Sequence, residues 1–334
     1  MAALQRWAPT VLKTILVVVT VFFVVRSVPL RASDIPAFLM RADYRFYASM
    51  LLFAVFLMLQ ASIWVLIVNA AMTEGEREGI REGRKLGLLT GLRIFIDSQF
   101  AKYIPGGFWN YAGRVVLATR AGVPLQAQLA SIVYENVLLV SAALMYALLF
   151  ALSLGGSPLP LVSTALVIIA LAYLLYDRIT TWIRQLFVRA SRWKLLGRLL
   201  AKGRESHESA AVGGSAVMPR NPFFGYLVCF LGSHFIMGIA FWMLTDSFGE
   251  GHIGLLYAAG TFATSWLLGL FSPLPGGLGV REGFLVYFLS LKLGTDAALH
   301  ISVIARLWNI MAELTFWLLI KAVSHLPKRV KMYE

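Results

Sequence analysis

The sequence predicts an all-α polytopic membrane protein with about six transmembrane helices and two re-entrant hairpins built on Pro-Gly-Gly. Three observations lead there. Of 334 residues, 59% are hydrophobic and 14% are charged, and the mean hydropathy is +0.74, a composition that a water-facing surface does not support. Several apolar runs reach the roughly 20 residues that a helix needs to cross a hydrocarbon core of roughly 30 Å. Two further apolar stretches are each interrupted by Pro-Gly-Gly.

The first run, 11–28, has Arg6 ahead of it and Lys13 at its start in the manner of a signal peptide. Arg26, Pro29 and Arg31 stand where small residues would mark a cleavage site, so the run reads as an uncleaved first span. Further spans read at 46–71, 125–154, 161–179, 223–245 and 297–323. Between them, 86–120 carries Arg93, Asp97, Lys102 and Arg114 around Tyr103-Ile104-Pro105-Gly106-Gly107, and 253–293 is interrupted at Pro273-Leu274-Pro275-Gly276-Gly277. Proline removes an amide donor and paired glycines free the backbone, so a helix breaks at each place. Broken backbone survives at membrane depth only inside protein or beside a watery cavity. Both stretches therefore read as hairpins that enter and leave on one side.

Orientation follows from Lys and Arg in the connections. Nine lie in 178–220 and none in 155–160 or 246–252, while Lys321, Lys328, Arg329 and Lys331 crowd the C-terminal end. Both termini are then cytoplasmic, in a bacterial cytoplasmic (inner) membrane, and Arg31, Arg41 and Arg45 fall outside against the rule. The chain reads as one transmembrane domain, 1–334, in two halves, 1–154 and 155–334. Each half is two spans, a hairpin and a span, and the halves run oppositely, which is an inverted-topology repeat.

Charge and motif content narrow the function. The formal charge is +13, but the basic residues sit between spans rather than on one aromatic-interleaved face, which argues against nucleic acid. In 178–204 they alternate with Trp182, Leu186, Phe187 and Trp193, a pattern suited to an anionic leaflet surface. The single Cys229 cannot form an intrachain disulfide. His234 and His300 each stand without a second ligand at metal spacing and read as satisfied buried histidines, so no metal or cofactor is predicted. With no phosphate loop or nucleophile elbow, no catalytic residue is assigned and ATP-driven transport is not expected.

An ionisable group inside a span costs about 2.5 to 3.5 kcal/mol on insertion scales, so each needs a reason. Glu135 and Asn136 lie inside the 125–154 span. Arg306, Asn309 and Glu313 share one face of the last span at i, i+3 and i+7. A helix that starts after Gly107 or Gly277 offers free amide donors to a phosphate, with Arg114 following the first turn, Arg281 and Glu282 the second, and Lys102 just ahead of the first. Lys102, Pro105, Gly106, Gly107, Arg114, Glu135, Asn136, Pro275, Gly276, Gly277, Arg281, Glu282, Arg306, Asn309 and Glu313 are thus the candidate headgroup-binding or translocation residues.

Lys102-Tyr103-Ile104-Pro105-Gly106 followed by Arg114 and Glu135, together with Pro275-Gly276-Gly277-Leu278-Gly279-Val280-Arg281-Glu282, resembles the transmembrane lysylphosphatidylglycerol synthase/flippase family from about Phe46 onward. The resemblance implies a lipid substrate: an anionic or glycosylated lipid, such as a phospholipid, polyprenyl-linked lipid or hopanoid, moved between leaflets. Bifunctional members add a soluble aminoacyl-transferase domain. The sequence ends at Glu334, soon after its last span, so synthase activity is not expected. The alternative is an integral membrane enzyme or an accessory subunit that partners a lipid biosynthetic enzyme.

Overall fold

The computed structural model describes residues 34–77, 85–104, 108–154, 158–191, 218–272, 277 and 279–325, and every regular element among them is helical. In chain order these are α1 (Asp34–Arg41), α2 (Tyr44–Arg77), α3 (Leu88–Gln99) continued by a 3₁₀ turn (Phe100–Tyr103), α4 (Trp109–Arg120), α5 (Leu125–Ser153), α6 (Pro158–Ser191), α7 (Arg220–Asp246), α8 (Leu255–Gly269), α9 (Val280–Leu293) and α10 (Thr295–His325). Within α2, α5, α7 and α10 lie four segments long and apolar enough to cross a membrane. They match the expected spans 46–71, 125–154, 223–245 and 297–323. The expected span 161–179 lies within α6, which continues to Ser191, so that span and the start of the basic stretch form one helix. The expected span 11–28, the residues 105–107, 273–276 and 278, and the stretch 192–217 lie outside the described residues.

Lipid is the solvent that these helices are built for. Along α5 the exposed side chains include Leu125, Leu129, Val133, Val137 and Leu144, one stripe at helical spacing, and α2 and α10 expose Leu51, Val55, Leu314 and Leu318 in the same way. In water such stripes would be polar.

Side-chain contacts fix the direction of each helix. Arg45, at the start of α2, pairs with Asp246, at the end of α7, at 2.5 Å, so these two helices are antiparallel. Arg45, one of the three arginines expected to fall outside against the positive-inside rule, has a carboxylate partner in the fold. At the opposite end, Asn69 of α2 holds both the amide and the carbonyl of Leu86, just ahead of α3, and the Tyr134 hydroxyl of α5 accepts from the amide of Met218, just ahead of α7. Phe150, near the far end of α5, packs on Tyr257 at 5.1 Å, close to the start of α8. The α3–α4 pair therefore begins and ends at one end of the bundle and the α8–α9 pair at the other, while α5 and α10 run in opposite directions.

The packing has an exchange relation. α2 packs on α7, and the contacts α2–α3, α3–α4, α3–α10, α4–α5, α2–α10 and α2–α5 have as counterparts α7–α8, α8–α9, α8–α5, α9–α10, α7–α5 and α7–α10. A shift of 170 residues carries the end of α3, Gln99, onto the end of α8, Gly269, and the start of α5, Leu125, onto the start of α10, Thr295.

Close approach of α8 to its neighbours depends on absent side chains. A Cβ on Gly260 would lie 2.2 Å from Phe150 Cβ and 2.9 Å from its Cα on α5, and one on Gly238 of α7 would lie 2.5 Å from the Cβ of Ala259. Overpacking of this kind costs about 1–3 kcal/mol. Gly260→Ala should lower the melting temperature of the purified protein in detergent, whereas Gly225→Ala, where a Cβ meets nothing within 4 Å, should leave it nearly unchanged; an equal response from the two would contradict this packing.

Candidate functional site

The middle of α10 carries two of the four buried Arg and Glu side chains among the described residues. Its 31 residues run from Thr295 to His325, and Arg306, Asn309 and Glu313, all buried, straddle the midpoint on one face. Two adjacent helical turns bring partners to Glu313 and Arg306. From the 3₁₀ turn at the end of α3, Lys102 forms an ion pair with Glu313 Oε1, and the Tyr103 hydroxyl donates to Glu313 Oε2 at 3.1 Å. From the first turn of α9, Glu282 Oε1 lies 3.1 Å from Arg306 Nε. Trp308, between the polar positions, donates its indole N–H to Ser49 Oγ of α2 at 3.0 Å.

Arg281 completes the cluster without being consumed by it. Its side chain follows α8, with its Cβ only 2.9 Å from where a Cβ of Gly269 would stand, and its guanidinium lies over the Phe262 ring at 4.8 Å. The charge is close enough to feel Arg306, Glu282, Tyr103 and Glu313, but Arg281 makes no ion pair or hydrogen bond among the described residues. Lys102 and Arg306 each have a carboxylate, and Arg281 leaves the cluster one positive charge in excess. That balance suits an anion.

The second Pro-Gly-Gly turn is legible in its backbone. Gly277 and Gly279 have φ of 77° and 80°, left-handed values that only glycine adopts without strain, and a Cβ on Gly277 would crowd the Gly269 carbonyl oxygen at 3.2 Å. α9 starts at Val280, later than the expected start after Gly277. Its first free amide, at Gly279, donates to Glu282 Oε2 at 2.9 Å. The carboxylate of Glu282 thus occupies part of the helix N-terminus that was expected to face a phosphate.

Other candidates are placed elsewhere. Arg114 of α4 pairs with Glu135 of α5 at 2.5 Å, both almost fully buried, and its guanidinium sits among the rings of Phe95, Trp64 and Tyr111 at 4.2, 5.1 and 5.7 Å. This is a closed clamp between α4 and α5 rather than an open anion site. Asn136 is also occupied, accepting from the Tyr111 hydroxyl at 2.6 Å and donating to the Ile132 carbonyl at 2.7 Å. Pro105, Gly106, Gly107, Pro275 and Gly276 lie outside the described residues. His234 is buried as expected, with its Nδ1 2.8 Å from the Phe230 carbonyl. His300 departs from the expectation: its side chain is exposed, 3.9 Å from Glu250.

Residues that the sequence reading passed over include Tyr103 as a ligand of Glu313 and the ring box around Arg114. Their signal is spatial, since Trp64 and Phe95 reach Arg114 from two other helices.

Breaking a buried pair by removing one partner typically costs about 3–5 kcal/mol, whereas replacing both with apolar side chains is often neutral. Arg114→Met should therefore strongly destabilise the protein in detergent, and adding Glu135→Leu should recover most of the loss. Additive losses in the double variant would contradict a closed clamp.

No curated protein matches the chain. A family model does, across nearly all of the described bundle, and with the fold it identifies an integral membrane protein. From the match over residues 10–320, the chain belongs to the family described as the lysylphosphatidylglycerol synthase TM region.

Proposed function

We propose that the protein translocates an anionic or glycosylated lipid between leaflets, with the headgroup passing through the charge cluster at the middle of α10. One observation carries the reading: the ends of two broken helical segments that start from opposite ends of the bundle meet there, bringing Lys102 and Tyr103 from one side and Arg281 and Glu282 from the other. In this reading the α3–α4 and α8–α9 pairs are re-entrant hairpins of an inverted repeat made of 1–154 and 155–334. The exchange relation in the packing supports that division, and a ligand site near mid-membrane between the repeats is the common plan of such transporters.

The chemistry follows from the charges. Arg281 binds the anionic headgroup, Lys102 and Arg306 hold the two carboxylates in place, and Glu313 and Glu282 keep the site from binding the anion too tightly to release it. Both termini and the basic stretch 178–204 face the cytoplasmic leaflet of a bacterial inner membrane, whose anionic lipids the stretch contacts, and the protein works without a cofactor or a catalytic residue of its own. A role as an accessory subunit of a lipid biosynthetic enzyme is the rival reading; it predicts copurification with that enzyme and no lipid movement by the chain alone.

In vesicles reconstituted with the purified protein and a fluorescent anionic phospholipid, headgroup movement should exceed that of protein-free vesicles. Arg281→Ala should reduce it to the protein-free level while leaving the melting temperature close to wild type. Movement that is unaltered in Arg281→Ala would sink the assignment.

A further inference from the structure

The hydroxyls of α8 stand apart from the others in the bundle. Among the described residues, five buried serines and threonines on other helices satisfy themselves on a carbonyl one turn back, Ser49 on Phe46, Ser98 on Phe95, Ser131 on Gln128, Ser233 on Phe230 and Thr245 on Trp242, at 2.7 or 2.8 Å, and a sixth, Ser302, donates to the Glu282 carbonyl at 3.4 Å. Thr261 and Ser265 are both fully buried, yet neither hydroxyl has a hydrogen-bond partner, and neither has the hydroxyl of Thr264 beside them. A buried hydroxyl without a partner is destabilising, and the back-bonded rotamer is available in any helix. Two such groups at i and i+4 mark a place where a partner belongs.

The face they occupy can be located. Tyr257, Thr261, Ser265 and Gly269 form one i+4 ridge of α8. Both ends of the ridge rest on α9: the Tyr257 hydroxyl donates to the Phe288 carbonyl at 2.5 Å, and Gly269 abuts the Cβ of Arg281. Thr261 and Ser265 therefore face the interior of the α8–α9 hairpin, along the path of the Arg281 side chain, whose guanidinium lies over the neighbouring Phe262. On α10, Asn309 shares a face with Arg306, whose charge lies within electrostatic reach of Arg281, and its buried amide nitrogen also lacks a hydrogen-bond partner.

We propose that these groups form one desolvated oxyanion pocket inside the second hairpin, in which the Thr261 and Ser265 hydroxyls, the Arg281 guanidinium and the Asn309 amide donate to a single phosphate-type anion. The pocket deepens the headgroup reading above and rests on it for the lipid source of that anion. The guanidinium can only donate and the two hydroxyls and the amide can donate beside it, so with the positive charge the set suits an acceptor-rich anion. The single uncompensated charge of Arg281 matches one negative charge, as on a phosphodiester, better than a diphosphate.

The test uses the full chain purified in detergent and measures binding of dihexanoyl phosphatidylglycerol and of inorganic phosphate by microscale thermophoresis, with dihexanoylglycerol as the uncharged control. In Thr261→Val/Ser265→Ala the affinity for whichever anion binds should fall by about tenfold per hydroxyl, with a melting temperature equal to or above wild type because two orphaned hydroxyls are gone. Binding of the phospholipid, with or without phosphate, identifies a lipid headgroup as the ligand. Hydroxyl-dependent binding of phosphate alone keeps the pocket and removes the lipid reading. Binding within twofold of wild type in the double variant, or no binding of either anion to the wild type, overturns the pocket, and if vesicles still move lipid the translocation reading survives that failure.

Discussion

Glu313 carries a carboxylate at 1% exposure in the middle of α10, and much of the fold is arranged around that one group. An unpaired charge at such depth is prohibitive, and pairing it requires cations and donors brought to the same depth. A continuous helix has its backbone donors and acceptors bonded internally and offers only side chains at mid-length. A helix that stops halfway can deliver a Lys at its end, as the α3 segment does with Lys102 and Tyr103. The same argument applies on the other side, where the break after α8 lets Glu282 at the start of α9 reach Arg306. Broken helices and buried charge are thus one device in two parts, each costly without the other.

The two halves use ion pairs of opposite polarity at comparable places. In the first, the Arg is on the second short helix and the Glu on the following long one, Arg114 with Glu135; in the second, Glu282 is on the short helix and Arg306 on the long one. The first pair is sealed among aromatic rings and locks its hairpin to α5. The second has a more exposed Glu282, at 26% of its side chain, and an adjacent arginine with no anion of its own. One pair is closed off by its neighbours and the other is partly open, with Arg281 beside it. This asymmetry also accounts for the different fates of Arg114 and Arg281, which the sequence presents as equivalents.

The all-α class, the four long apolar helices and the interrupted segments were legible because hydropathy over about 20 residues and Pro-Gly-Gly are local signals. So was the shared face of Arg306, Asn309 and Glu313, since helical spacing settles it. Pairing was not legible. Nothing local says that Lys102 meets Glu313, 211 residues away, or that Asp246 pairs with Arg45. The role of Glu282 as a cap for its own helix was hidden for a different reason: the left-handed Gly279 delays the start of α9 by a few residues, and helix boundaries are the least certain part of a sequence reading. That the Thr261 and Ser265 hydroxyls lack partners shows only in their surroundings in the fold.

The central claim is that the cluster on α10 holds an anionic lipid headgroup through Arg281. Native mass spectrometry of the protein released from mild detergent tests it most directly. The wild type is expected to retain a copurified anionic lipid that Arg281→Ala loses, while Arg114→Met with Glu135→Leu retains it. A wild type that carries no anionic lipid, or an Arg281→Ala protein that carries as much, would contradict the account.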